Sequence, residues 1–180
     1  RRSGNVAASQ EDLPMTAAAA SPAASPPGRG TLSQTMIAGL AGGAVDLLYA
    51  SGMSVASGRP AARPWQAVAS GWLGGPAARD GGMAVVLLGV ATHFGIALAM
   101  AAVYVLAARR VPALTARPML AGALYGLILY GVMYLVVLPL RWPGAFPSWQ
   151  GAKSGLDILA HVAVGLVIAW TVSSRKARAA

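Results

Sequence analysis

Four ionisable side chains, Asp46, His93, Asp157 and His161, stand inside long apolar stretches of this sequence. Charged and titratable groups are costly in lipid, so they tend to face the interior of a helix bundle or a cavity. An imidazole can exchange a proton near neutral pH, and an acid beside it can orient the ring or stabilise its charge. We therefore predict that these residues form a buried polar cluster, which is the candidate functional site.

The elements that must position these side chains are four apolar segments, each about the twenty residues that a helix needs to cross a bilayer. The pattern predicts membrane helices over residues 32–53, 83–107, 118–138 and 154–173. Hydrophobic residues make up 56% of the chain, which leaves little water-facing surface. We predict an all-α polytopic membrane protein, with an antiparallel bundle of four transmembrane helices within residues 31–180.

Two segments lie outside the predicted membrane helices. Residues 1–30 are mostly Ala, Ser, Pro and Gly, too poor in large apolar groups to offset the entropy of ordering, so we predict a disordered tail in which Met15 is a candidate start. In the loop 57–82, Trp65 and Trp72 are seven residues apart and share a face of a predicted short interfacial helix, because Trp concentrates at the headgroup boundary. An aromatic lid over a substrate is the functional alternative.

Small residues at helical spacing predict which helix faces pack inward. Gly39 and Gly43 form a GxxxG pair on the face that carries Asp46, and Gly122 and Gly126 form a second pair. Such pairs let two helix backbones approach closely. The acid on the first helix is therefore expected to face the bundle rather than lipid.

The basic residues predict an orientation in the membrane. Those of the second connection and the C-terminal tail outnumber those of the first and third loops: Arg109, Arg110, Arg117, Arg175, Lys176 and Arg178 against Arg59, Arg63, Arg79, Arg141 and Lys153. Because basic residues favour the cytoplasmic side, both termini are predicted to lie there. Asp46, His93 and His161 then fall within about 9–15 Å of the outer surface, at about 1.5 Å per helical residue.

The composition argues against several classes of protein. The chain has no cysteine, which excludes disulfides, thiolate metal sites and iron–sulfur clusters. Its net charge of +9 is spread over every loop and tail without an aromatic and basic patch, so no nucleic-acid partner is expected. The phosphate-binding, zinc-protease, nucleophile-elbow and dinucleotide-binding motifs are missing. No catalytic residue is therefore predicted, and we expect that the protein is not an enzyme.

We predict that the protein is a non-catalytic accessory or structural subunit. Its expected partners are the lipid bilayer around it and either other proteins of a membrane assembly or further copies of the chain in a homo-oligomer. Interhelical hydrogen bonds from Asp and His stabilise such bundles without any chemistry. No metal and no cofactor are expected in this case. Three alternatives stay open: a proton-coupled carrier, a divalent-metal site built from the two His and two Asp residues, and a haem b held by His93 and His161.

Three segments carry a further pattern: ATHFGIALAMAAVYVLA over 91–107, LAGALYGLILYGVMYLVVLPL over 120–140 and LDILAHVAVGL over 156–166. A Thr-His pair opens the middle of one helix, Ala-Gly-Ala-Leu starts the next, and an Ala-His pair lies in the last. In these segments the chain resembles the YagU-like family of small bacterial inner-membrane proteins, whose biochemical activity is undefined. The resemblance implies an inner-membrane location and draws attention to His93 and His161, but it implies no substrate.

Overall fold

The computed structural model describes the backbone of residues 27–177 and the side chains of residues 30–174. Within these ranges every regular element is a helix, which confirms the predicted all-α class. The elements are α1 (Pro27–Ala56), α2 (Arg63–Leu73), α3 (Gly75–Asp80), α4 (Met83–Arg110), α5 (Ala113–Ala116), α6 (Pro118–Val132), a π-helical turn (Met133–Val137), α7 (Leu138–Arg141) and α8 (Ala152–Ala177).

Four helical stretches are long and apolar enough to cross a membrane, and each overlaps one of the predicted segments. They are Gly30–Ala56, Met83–Arg110, Pro118–Arg141 and Ala152–Ser174. The third stretch joins α6, the π-helical turn and α7. The predicted four-helix membrane bundle is confirmed, and the observed helices extend a few residues beyond the predicted ends.

The first helix begins at Pro27, inside the segment that was predicted as a tail. Proline is well suited to the first turn of a helix. Its fixed φ angle matches that of a helix, and the N–H groups of the first turn have no acceptor within the helix, so the missing N–H costs no hydrogen bond. Residues 1–26 of the predicted disordered tail lie outside the described residues.

Glycines bring α6 and α8 into backbone contact. A Cβ atom added to Gly122 would lie 2.8 Å from the Gly165 carbonyl oxygen, and one added to Gly126 would lie 2.5 Å from Val162 Cα. Real Cβ atoms essentially never approach other atoms so closely. The predicted GxxxG pair of the third span therefore forms a close crossing with α8, in which neither helix has room for a side chain.

The first helix packs against both α4 and α8. Gly39 faces α4, where an added Cβ atom would lie 2.9 Å from Leu98 Cα, and Gly42 faces α8, where it would lie 3.0 Å from the Ile168 side chain. Because α6 packs along α8, the order around the bundle is α4, α1, α8 and α6. The remaining side, between α4 and α6, is bridged at one level by the Tyr125 hydroxyl, which donates to the Met100 carbonyl oxygen at 2.7 Å.

Aromatic side chains close the end of the bundle that carries α5. The rings of Tyr104 and Tyr125 lie 5.0 Å apart, and the Tyr104 hydroxyl donates to the Leu114 carbonyl oxygen at 3.0 Å. Tyr104 belongs to the main apolar core, together with the fully buried Ile168 and Ala169. The opposite end, which carries α2, α3 and residues 142–151, contains a cavity and is called the cavity end below.

The third membrane span is irregular where the π-helical turn interrupts it. Pro139 has no N–H to donate to the Leu135 carbonyl oxygen, so it breaks the regular α-helical pattern. The preceding N–H, that of Leu138, donates instead to the Met133 carbonyl oxygen, five residues back. Turns of this kind are frequent at functional sites, and this one carries Tyr134 into the lining of the cavity.

The outer surface of the bundle is strongly apolar. Leu48, Leu87 and Leu159, on three different spans, are 61–70% exposed. Large leucines at this exposure are unfavourable in water and suit the hydrocarbon core of a bilayer. The fold is therefore that of a multi-pass helical membrane protein.

Candidate functional site

A cavity of about 430 Å³ lies between the four membrane-spanning helices and α2. Its volume falls within the range of small-molecule sites, about 300–1,000 Å³. Asp46, His93, Asp157 and His161 all line it. The four side chains that the sequence indicated thus surround one space, where they are arranged in two separate groups.

The first group joins α1 to α4. His93 Nδ1 lies 3.7 Å from Asp46 Oδ2, and its Nε2 lies 2.9 Å from the Gly43 carbonyl oxygen. A carbonyl oxygen can only accept, so Nε2 carries a hydrogen and donates it. Nδ1 faces the Asp46 carboxylate at a distance beyond that of a hydrogen bond, so the contact between the two groups is electrostatic.

The second group is centred on the carboxylate of Asp157, which is buried at the start of α8. The Lys153 ammonium, one turn earlier on the same helix, donates to Oδ2 at 2.8 Å, and the Tyr49 hydroxyl of α1 donates to Oδ1 at 2.7 Å. The Lys153 side chain is 42% exposed, so its charge remains near water while it neutralises the buried acid. Asp157 is therefore a satisfied, paired group.

His161 lies one turn below Asp157 on α8. Its Nδ1 is 2.8 Å from the Asp157 carbonyl oxygen, which makes Nδ1 the donor and leaves Nε2 as the acceptor of a neutral ring. The rings of Tyr130 and Tyr134 meet the imidazole edge to face, with centroids 5.6 and 5.8 Å away. The Asp157 carboxylate lies on the neighbouring turn of the same helix, but Lys153 and Tyr49 occupy it, and the backbone carbonyl group of Asp157 orients the His161 ring.

The two groups meet through α1 rather than through a contact between the histidines. Tyr49 lies one helical turn beyond Asp46 and reaches Asp157 with its hydroxyl. Among the described side chains, the ring contacts of His161 come from tyrosines, whereas the ring of His93 contacts Trp65 and Phe94. The described contacts therefore join the two groups through Tyr49 of α1.

The short helix α2 covers the cavity end and packs against Gly89 of α4. A Cβ atom added to Gly89 would lie 2.6 Å from the Trp65 carbonyl carbon, so only glycine lets the two backbones meet. Trp65 is 5% exposed, lines the cavity with its ring 5.0 Å from that of His93, and donates from its indole to the Ser51 hydroxyl at 3.1 Å. Trp72 is 69% exposed and lies outside the cavity lining. The predicted short helix is therefore present, with one of its two tryptophans in the site, and its interfacial position stays a prediction.

Basic side chains line the outer part of the cavity: Arg59, Arg63 and Lys153. Lys153 is paired with Asp157, as described above. Arg63 donates to the Gln66 side-chain oxygen at 3.5 Å, which leaves its charge uncompensated. In the part of the chain with described side chains, neither arginine forms an ion pair with a carboxylate.

Sequence reasoning missed several lining residues: Arg59, Arg63, Tyr49, Tyr134 and Lys153. Two of them carried a usable signal. Tyr49 lies at i+3 from Asp46, and Lys153 lies at i−4 from Asp157, both on shared helix faces. The arginines lie outside the membrane spans, where basic residues ordinarily indicate only topology.

The donor set bears on the metal and haem alternatives. Among the described side chains, no three His, Asp or Glu groups converge to hold a metal ion. Both ring nitrogens of His93 face protein oxygens, so a bond from this ring to iron would require the ring to turn away from Gly43 or Asp46. The haem and metal alternatives remain predictions, and no step below depends on them.

No family model, curated protein or solved structure matches this chain. The resemblance to the YagU-like family therefore stays a prediction, based on the three segments quoted above. Function must be argued from the cavity itself.

Proposed function

We propose that this chain is a non-catalytic bacterial inner-membrane protein that binds one small amphipathic molecule in its intramembrane cavity. The observation that supports the proposal is the lining, which changes from charged to apolar with depth. Ionisable residues inside a membrane ordinarily face such a cavity and mark a ligand or ion path. The cavity volume is also suited to a small molecule.

The change in polarity is clearest along α8. Lys153, Asp157, His161 and Val164 line the cavity in succession, over about 16 Å at about 1.5 Å per residue. Apolar groups from the other spans surround the deep end: Ile96, Met100 and Leu129. A molecule with a polar head and an apolar tail would match both ends of this lining.

Binding is favoured over catalysis because the reactive groups are already engaged. Lys153 and Tyr49 hold the Asp157 carboxylate. Ser54, the hydroxyl nucleophile in the lining, donates to the Pro60 carbonyl oxygen at 2.8 Å, away from either imidazole. General base catalysis would need a nucleophile within hydrogen-bond reach of its base.

The proposed orientation places both termini in the cytoplasm. The helix ends opposite the cavity end are followed by the larger group of basic residues, as the sequence analysis counted them. In this orientation the cavity end faces the periplasm, and the arginines of the lining lie at the level of the outer lipid head groups. The location in the bacterial inner membrane rests on this pattern and on the resemblance of the three segments.

A proton-coupled carrier is the second candidate, and the Asp46–His93 contact favours it. That contact brings an acid and an imidazole of two different helices to 3.7 Å, and groups of these types can relay protons within a membrane. Four spans leave little room for a complete transport path, so a carrier would require a second copy of the chain. The role of accessory or structural subunit also remains a prediction.

Native mass spectrometry of the full chain, released from lipid nanodiscs, tests the binding function. We expect the wild type to retain one small amphipathic molecule per chain. Ala50→Leu, which adds volume inside the cavity, should lose it, whereas Ala44→Leu, on the exposed face of the same helix, should retain it. Equal retention by all three proteins would contradict the proposal, and the same spectra report any associated protein chain.

A further inference from the structure

We infer that the molecule bound in the cavity is a single-chain amphiphile with an anionic head group. This inference rests on the proposed binding function and assigns the class of ligand. It follows from two observations: positive charges in the lining that have no carboxylate partner, and the position of these charges at one end of the cavity.

The cations of the lining outnumber its acids. The Asp157 carboxylate is neutralised by the Lys153 ammonium at 2.8 Å, which leaves Asp46 as the second acid, with an imidazole at 3.7 Å. Arg59 and Arg63 contribute two positive charges with no carboxylate partner among the described side chains, so the lining as a whole favours an anion.

The two arginines lie where a head group would lie. Arg59 follows the first membrane span and Arg63 begins α2, so both are outside the hydrocarbon-spanning segments. The first turn of α2, where Pro64 also lines the cavity, adds the partial positive charge of a helix N-terminus. Guanidinium groups bind phosphate and carboxylate oxygens through paired hydrogen bonds. This end of the cavity is therefore suited to a phosphate or carboxylate head.

The deep part of the cavity is suited to an alkyl chain. From Ser54 to Gly42, the lining on α1 runs inward for about 18 Å at about 1.5 Å per residue. It ends near Met100, whose carbonyl oxygen accepts the hydrogen bond from Tyr125 between α4 and α6. The volume of about 430 Å³ is at the lower end of the range for ligand sites, which favours one chain over two.

The open side of the bundle offers a route from the membrane. The helices follow the order α4, α1, α8 and α6, and α4 and α6 do not pack along each other as the other neighbours do. Both helices line the cavity above the Tyr125 bridge. An amphiphile in the outer half of the bilayer can therefore enter between them with its head at the level of the arginines.

Binding of four probes to the full chain in nanodiscs tests this class of ligand. The probes are dodecyl phosphate, dodecylphosphocholine, dodecyltrimethylammonium and inorganic phosphate, with the three amphiphiles at equal mole fraction of the lipid. We expect dodecyl phosphate to bind in preference to the zwitterionic and cationic probes, by about tenfold for each arginine that contacts the head. Arg59→Gln with Arg63→Gln should abolish that preference, and Arg79→Gln, an arginine of the same connection outside the lining, should keep it.

The outcomes separate this inference from the proposed function. Suppose that the wild type binds the three amphiphiles with equal affinity and that Ala50→Leu abolishes all three. The anionic class would then be wrong, whereas the assignment of the cavity as the binding site would stand. A preference for the ammonium probe, or competition by inorganic phosphate as strong as by dodecyl phosphate, would also overturn the assignment. If Ala50→Leu affects no probe, the cavity is not the binding site and the proposed function itself fails.

Discussion

Asp157 lies on one wall of the cavity with its neutralising cation on the same helix, whereas Asp46 lies on the other wall and faces an imidazole from a neighbouring helix. The first acid is buried, with hydrogen bonds of 2.8 and 2.7 Å to Lys153 and Tyr49. The second has a side chain that is 28% exposed and an imidazole nitrogen at 3.7 Å. An aspartate therefore forms a short ion pair within one helix on one side, and a longer contact with an imidazole between two helices on the other.

The difference follows from how each wall is built. The wall formed by α6 and α8 is held by backbone contact at Gly122, Gly126 and Gly165. The wall formed by α1 and α4 includes a third element, α2, whose Trp65 ring lies 5.0 Å from that of His93. The acid on the first wall is paired with a lysine of its own helix, whereas the acid on the second wall meets its imidazole across a helix interface.

The largest expected effect comes from separating α6 from α8. Gly126→Ala places a Cβ atom against the backbone of α8, and we expect it to lower the free energy of unfolding by about 3 kcal/mol, at the upper end for overpacking. Gly131→Ala is the matched control on the same helix, because nothing lies within 4 Å of its added Cβ atom. It should be neutral or gain up to about 1 kcal/mol. Denaturation with sodium dodecyl sulfate in mixed micelles measures both, and equal values for the two variants would contradict the close crossing.

The next effect tests the ion pair of Lys153 and Asp157. Lys153→Met leaves the buried Asp157 carboxylate with the Tyr49 and Tyr134 hydroxyls beside it but without its cation, which should cost about 1–3 kcal/mol. Adding Asp157→Leu to the same protein should recover most of this loss, because an apolar replacement for both members of a buried pair is often neutral. The same denaturation assay measures the single and double variants. A double variant as unstable as the single one would show that the unpaired acid is not the source of the loss.

The smallest effect in stability is expected at the Asp46–His93 contact. Asp46→Asn should change the free energy of unfolding by about 0.6 kcal/mol, the average for an interhelical polar contact in a membrane protein. The asparagine amide can donate to His93 Nδ1, which favours the tautomer with its hydrogen on Nε2, the nitrogen that faces the Gly43 carbonyl oxygen. Nitrogen-15 NMR of labelled histidine in bilayers measures the tautomer. Asp157→Asn is the control and should leave the His93 signals unchanged, whereas identical His93 spectra in Asp46→Asn and wild type would contradict an interaction between Asp46 and His93.

The sequence predicted the spans and the inward faces because both depend on local spacing. Apolar length located the four helices, and the glycine pairs correctly indicated close packing. The partner of Gly89 was not predictable in this way. Gly89 lies four residues before His93 on the same helix face, and the backbone that packs against it belongs to α2, an element whose placement depends on tertiary contacts.

The bonds within the site were harder to predict for two physical reasons. Tyr49 and Asp157 are 108 positions apart, and their contact depends on the rotation of both helices, which spacing alone does not determine. The Lys153 pair is local, but the fourth helix was predicted to begin at residue 154, just after the lysine, whereas it begins at Ala152. An error of two residues at a helix end therefore concealed the cation that neutralises Asp157.

The π-helical turn has a consequence for the length of the third span. A regular α-helix turns by about 100° per residue, so Leu138, nine residues after Leu129, would point to the opposite side. Both leucines line the cavity, because the extra residue in the wider turn removes about one such step. A related chain that lacked one residue of Met133–Val137 and formed a straight helix would present the same faces to the cavity. Sequences of two lengths can thus share this cavity, and aligning them would require a gap inside a membrane helix rather than in a loop.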